Sequence, residues 1–214
     1  MRIVIDMQGA QTDSRFRGIG RYTLSLVQAL ARNKAQHDIV LVLNGRFEHT
    51  IDPLRKAFKD ILQPEKIVVW AAPGPMGSHV PQNQGRHELA VILRESFMAS
   101  LSPDIVIITS FFEGFVDDAV TSVHHYDIHT PVCVIAYDFI PLLNPLQYLD
   151  PHPDYADYYK KKVQQFQTAD VFLAISESSR LETVNHLNVP PLRTCNISGA
   201  CEPFFKPMTI QDSE

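Results

Sequence analysis

The sequence predicts an α/β fold in which helices cover both faces of a parallel sheet, and three observations carry the prediction. Short β-branched runs recur along the whole 214-residue chain. Each run is apolar without strict alternation, as a strand buried on both sides must be. Between the runs lie stretches whose apolar residues recur at helical spacing.

The first run, residues 2–6 (RIVID), enters a strand at once. Tyr22, Leu26, Ala29 and Leu30 then recur at helical spacing and predict a crossover helix before a second strand at 38–43. A third strand is predicted at 66–70 and a fourth at 104–109, with Val91, Leu93, Phe97 and Leu101 marking the helix between them. Strands at 131–137 and 171–175 follow, and a helix begins after Asp154. Ser176 can cap the free amides of another helix, while Glu177 favours the positive end of its dipole. Residues 193–197 complete a set of seven strands.

Three stretches, residues 7–20, 71–85 and 138–153, are too long and too rich in glycine or proline for bare connectors. The first and third follow the carboxyl ends of predicted strands, where open α/β sheets place their ligands. From Glu202 onward the chain carries two prolines and no periodicity. The expected division is one domain over 1–200 and, over 201–214, a linker or the start of a crossover to a further domain.

Composition narrows the function classes. A hydrophobic fraction of 45% and a charged fraction of 20% are those of an ordinary globular domain with a sizeable core. With 19 Lys and Arg and a net charge of −5, no concentrated basic face for nucleic acid is expected. Cys133, Cys195 and Cys201 form no CxxC pair and read as free thiols in a reducing compartment. The N-terminus leaves no room for a secretory leader, and no apolar run approaches a membrane span, so a cytoplasmic location is expected.

Two features could carry chemistry. Arg17-Gly18-Ile19-Gly20-Arg21 opens a helix after a strand and a long loop, so glycine backbone, free amides and the helix dipole could receive a phosphate. The same residues fail as a dinucleotide fingerprint. About a dozen residues separate Asp6 from Gly18, Thr23 stands where a third glycine is needed, and the second strand ends in Leu43-Asn44 without a carboxylate. The other feature is Tyr137-Asp138, which ends a buried strand before a proline turn. Asp138 could hold sugar hydroxyls or could cap the turn.

Other candidates have plainer readings. His125 and His129 have the i, i+4 spacing of helix-borne zinc ligands, but Tyr126 stands where the usual glutamate would be, so solvated histidines are expected and no metal. Lys160, Lys161 and Lys162 follow Tyr155, Tyr158 and Tyr159 and read as a solvated helix face, with contact to anionic lipid as the alternative. Ser176 lacks a nucleophile elbow and reads as a cap. Cys133, inside a strand, reads as core.

Taken in order, these pieces resemble the retaining glycosyltransferases of family 4, whose GT-B fold pairs two Rossmann-like domains. The likeness runs through MRIVIDMQGAQ, SRFRGIGRYTLSLVQALAR, SFFEGF, VIAYDFIPLLNPLQYL, DYADYYKKK, TADVFLAISESSR and NISGACEPFF. The combination is most similar to bacterial enzymes that build O-antigen and related polysaccharides, often mannosyltransferases using GDP-mannose. The resemblance implies that Gly18, Ile19 and Gly20 form a loop near the donor phosphates and the acceptor, with Arg21 at the helix start. It implies that Tyr137 and Asp138 stand where many relatives carry a His-Asp pair contacting the transferred sugar. Tyrosine supplies a hydroxyl there but no base at neutral pH. Glu113 and Gly114 would lie on an acceptor-side loop.

The implied partners are a nucleotide-sugar donor, a glycan or lipid-linked glycan acceptor and a C-terminal GT-B domain carrying most of the donor site. No cofactor or metal is implied, and peripheral contact with the inner face of the membrane is compatible with such an acceptor. Without the second domain, little or no turnover is expected. A non-catalytic carbohydrate- or nucleotide-binding module and a GT-B sugar-nucleotide epimerase remain open as alternatives.

Overall fold

The computed structural model describes residues 1–199. In chain order it contains β1 (Arg2–Asp6), α1 (Gly18–Arg32), β2 (Asp38–Asn44), α2 (Glu48–Ala57), β3 (Ile67–Trp70), α3 (Gln84–Ser100), β4 (Ile105–Ile108), β5 (Val132–Ala136), two single-turn helices α4 (Ile140–Leu143) and α5 (Pro145–Tyr148), α6 (Pro153–Phe166), β6 (Val171–Ala174), α7 (Glu177–Leu187) and β7 (Thr194–Asn196). All seven predicted strands are present, each end within one residue of expectation. The expected linker at 201–214, with Cys201, lies outside the described residues.

The strands form one parallel sheet in the order β3-β2-β1-β4-β5-β6-β7. Val4 lies beside Val40 on one neighbour and Val106 on the other. Alternate residues then feed two cores. Ile5, Ile39 and Leu41 pack with Val27 and Ala31 of α1 and Leu54 of α2. Val4, Val40, Val106 and Val134 pack on the opposite face with Val91 and Met98 of α3 and Val163 and Phe166 of α6. The apolar strands are therefore double-faced, as a parallel sheet wound on both sides requires.

Two departures from expectation shape the core. Helix α2 was not foreseen, although Ile51 and Leu54 within it and Phe58 at its C-terminal cap pack on the core, because Pro53 sits inside it and removes one backbone donor. More consequential is the β4-to-β5 crossing, residues 109–131, which contains no helix. Phe111, Val120 and Val123 fill the core there instead. Its backbone groups are satisfied by distant side chains: Gln8 bonds Val120 through both N–H (2.9 Å) and C=O (2.6 Å), and Glu95 accepts the amides of His125, Tyr126 and Asp127. Backbone groups paired in this way escape the usual cost of burial without a partner.

Candidate functional site

Strand order reverses between β1 and β4, and the loops leaving these two strands flank the crevice where such sheets receive ligands. The loop after β1 ends in α1, whose first intrahelical bond runs from the Arg21 amide to the Arg17 carbonyl at 3.2 Å. The amides of Gly18, Ile19 and Gly20 therefore precede the ladder; Ile19 is partly exposed and Gly20 is buried. Gly18 is exposed, and a Cβ there would touch nothing within 4 Å. Gly20 differs: a Cβ would fall 2.2 Å from the Arg15 Cα, so only glycine lets α1 begin against the preceding turn. Arg17 and Arg21 are exposed beside this helix end.

Tyr137 and Asp138 do different things. The Tyr137 hydroxyl lies 3.3 Å from the Thr23 hydroxyl and can donate to the carbonyls of Thr109 (3.1 Å) and Ile19 (3.5 Å). One phenol thus braces α1, the end of β4 and the end of β5 together. Burial raises it well above the usual phenol range, so it stays protonated at neutral pH. Asp138 is exposed, and among the described residues its carboxylate accepts only the Ile140 amide, at 3.2 Å. The turn-capping bond is present, and the rest of the carboxylate faces outward.

Glu113 and Gly114 sit on the β4-to-β5 loop. Ser110 donates to the Glu113 carboxylate at 2.8 Å, and the Tyr158 hydroxyl donates to the Glu113 carbonyl. Gly114 has φ of 99° and a would-be Cβ 2.3 Å from the Ala119 carbonyl oxygen, so no other residue fits. Nearby, burial pushes the Asp117 carboxyl up to about 6, with the charges of Glu113, Asp13 and Asp118 adding to it. The structure thus gathers Tyr137, Asp138 and the Gly18–Arg21 turn around the end of β5 and places Glu113 and Gly114 on the adjoining loop.

Beneath these groups lies a buried polar layer that sequence reasoning missed. Asp6, the last residue of β1, pairs with Arg94 of α3; their side chains are 1% and 0% exposed. Gln8 donates to Asp6 from its amide and its side chain, both at 3.0 Å, and the Thr109 hydroxyl donates to the Asp6 carbonyl at 2.7 Å. Asn44 joins the layer through Gln8 (2.9 Å) and Gln11 (2.7 Å). Arg94 falls on the buried face of α3 with Val91 and Met98, a position that helical spacing could have singled out.

Lys162 is also buried, at 4% exposure, and has no carboxylate partner among the described residues. Its ammonium donates to the Thr121 carbonyl at 2.5 Å and hydroxyl at 2.7 Å, and lies 5.0 Å from the centre of the Phe111 ring. Burial pushes it down to about 7, and the Arg94 charge adds to the effect. In the unfolded chain a lysine titrates near about 10.4, so above pH about 7 the unfolded state holds more protons and stability rises with pH. Burial of the Cys133 thiol, pushed up to about 12, works in the opposite sense above about pH 8.5. The expected result is a urea midpoint that climbs between about pH 7 and about pH 8.5 in the parent chain and stays flat in Lys162→Met. A flat parent would show that Lys162 titrates as an exposed lysine does.

The remaining expectations resolve individually. Of the lysine run, Lys160 and Lys161 are exposed and Lys162 is not, while Tyr159 is buried against Phe112. The solvated-face reading therefore fails for Lys162. His125 and His129 lie in a loop, not a helix, and His124 bonds Asp170 at 2.9 Å. No group of three or more His, Cys, Asp or Glu among the described residues is placed to hold a metal. Ser176 caps α7 by accepting the Ser179 amide at 3.1 Å, and Cys133 is core. Among the described residues no helix is long and apolar enough to cross a membrane.

The reversed strand order, the long loops at its switch point and the start of α1 beside them define a Rossmann-like domain with its long loops gathered at the sheet's carboxyl edge. No family model matches the chain. Over 94% of its length, however, it is 33% identical to the serotype-specific mannosyltransferase WbdA of Escherichia coli. Two further Escherichia coli proteins of that name are 32% and 30% identical over 81% of the chain. The chain is thus a relative of bacterial serotype-specific mannosyltransferases, as its ordered motifs led us to expect. It spans 24% of the length of the first of these relatives and 21% of the other two. In fold it is similar to a crystal structure from Listeria monocytogenes assigned as a UDP-N-acetylglucosamine 2-epimerase, with a TM-score of 0.50, 11% identity and coverage of 90% of this chain and 44% of that one. At that identity the likeness is one of fold.

Proposed function

We propose that this chain is the acceptor-side domain of a retaining glycosyltransferase that moves mannose from GDP-mannose to a growing O-antigen or related surface polysaccharide. The observation that carries the reading is sequence similarity to mannosyltransferases over nearly the whole chain, coincident with an anion-receptive helix start beside an outward-facing carboxylate. In this reading the amides of Gly18, Ile19 and Gly20 meet the donor diphosphate, with Arg17 and Arg21 adding positive charge. Asp138 accepts hydrogen bonds from hydroxyls of the transferred sugar, and Tyr137 holds the edge that presents it. Glu113 and Gly114 shape the acceptor side. A second GT-B domain supplies the rest of the donor site, and the enzyme works on the cytoplasmic side of the membrane, where a lipid-linked acceptor is met.

Calorimetric titration of the chain with GDP-mannose and with a mannose-containing oligosaccharide tests this division of labour. The oligosaccharide should bind, and the nucleotide sugar should bind at least about tenfold more weakly, a difference of about 1.4 kcal/mol. Tight binding of GDP-mannose by these residues alone would place the donor site here and overturn the assignment.

A further inference from the structure

An open groove of about 470 Å³ is lined by Phe115 of the β4-to-β5 loop and by Pro151, His152, Pro153, Asp154 and Tyr155 at the entry of α6. Its size falls within the range of small-ligand sites, which combine apolar walls with a few polar groups. Phe115 and Tyr155 meet edge to face with centroids 5.2 Å apart, and Tyr158 backs the Phe115 ring at 5.3 Å. These rings are thus set in place by packing before any ligand arrives. His152 and Asp154 are exposed at the same groove. Phe115 directly follows Gly114, and Tyr158, stacked beside Tyr155, donates to the Glu113 carbonyl, so the groove continues the acceptor-side loop outward.

We infer that this groove is a subsite for a neutral pyranose ring of the acceptor glycan, one or more sugars away from the reacting end. The inference rests on the glycosyltransferase reading and extends it to the acceptor's length. A pyranose has an apolar C–H face and an edge of hydroxyls. The first matches the aromatic wall, and the second matches a carboxylate acceptor and an imidazole that can donate or accept. Among the described residues no lysine or arginine lines the groove, and Asp154 repels anions, which disfavours a phosphate or nucleotide occupant. Ionisable groups along the rim disfavour an acyl chain.

The test titrates the chain with methyl α-mannoside, mannobiose and mannotetraose, and repeats the series with His152→Ala combined with Asp154→Ala, and separately with Tyr155→Leu, which keeps the apolar bulk. The parent should bind mannotetraose about tenfold more tightly than mannobiose, and both variants should lose most of that gain while binding methyl α-mannoside as the parent does. Thermal melting of the variants within about 4 °C of the parent secures that the fold is intact. If all three ligands bind alike and the variants change nothing, the subsite is refuted while the acceptor-domain reading stands. If none of the glycans binds the parent chain, both fail together.

Discussion

Arg94→Met is expected to destabilise the domain by about 3–5 kcal/mol, the range for removing one partner of a buried ion pair. Asp6 would remain at the end of β1, almost wholly shielded from water, with only the Gln8 donors beside its charge. For a chain of this size the melting temperature should fall by about 2–4 °C per kcal/mol, so a loss of roughly 6–20 °C is expected. Asp6→Asn should behave similarly, because it strands the guanidinium instead. Combining Arg94→Met with Asp6→Leu should recover part of the loss, since a well-packed apolar pair removes both desolvation costs. The drop should also change little with added salt, because buried pairs are poorly screened. A single variant melting within about 2 °C of the parent would mean that the pair is hydrated and contributes little.

Asp138→Ala is expected to lower turnover by about a hundredfold or more in any form of the protein that catalyses transfer, the scale found when one polar group serving a transition state is removed. The fold should barely notice. The carboxylate is exposed, and its bond to the Ile140 amide is a turn contact whose loss costs about 1 kcal/mol. That separation between activity and stability is what distinguishes a sugar-binding carboxylate from a turn cap. Unchanged turnover with slightly lowered stability would leave Asp138 as the cap alone.

The strands were legible because a parallel sheet demands apolar residues on both faces, and seven such runs stand out from their surroundings. The start of α1 and the Ser176 cap were legible for a similar reason: local chemistry fixes them within four or five residues. Residues 109–131 were not, because what holds them is scattered along the chain. Gln8, Glu95 and Lys162 lie up to 112 positions from the groups they satisfy. Lys162 was hidden by its neighbours Lys160 and Lys161, although it follows Tyr155 and Tyr159 and precedes Val163 and Phe166 on one helical stripe. A charged residue on an otherwise apolar stripe was the available signal, and it marks Arg94 as well. Gly114 could be placed only through its resemblance to a family loop; its geometric necessity is visible only when Ala119 folds back over it.

The helix-free crossing between β4 and β5 bears on how such domains diverge. A crossover helix ties sequence to a 3.6-residue period, so an insertion of one or two residues rotates its buried stripe away from the sheet. Residues 109–131 obey no such period, and their anchors, Gln8, Glu95 and Lys162, stand on elements that would not move. The segment's exposed positions, among them Val116, Tyr126 and Ile128, can be exchanged without disturbing strand register, whereas Phe111, Gly114, Val120 and Val123 are fixed by the core. Sequence variation among close relatives should therefore concentrate at Val116, Tyr126 and Ile128, while Phe111, Gly114, Val120 and Val123 stay as they are.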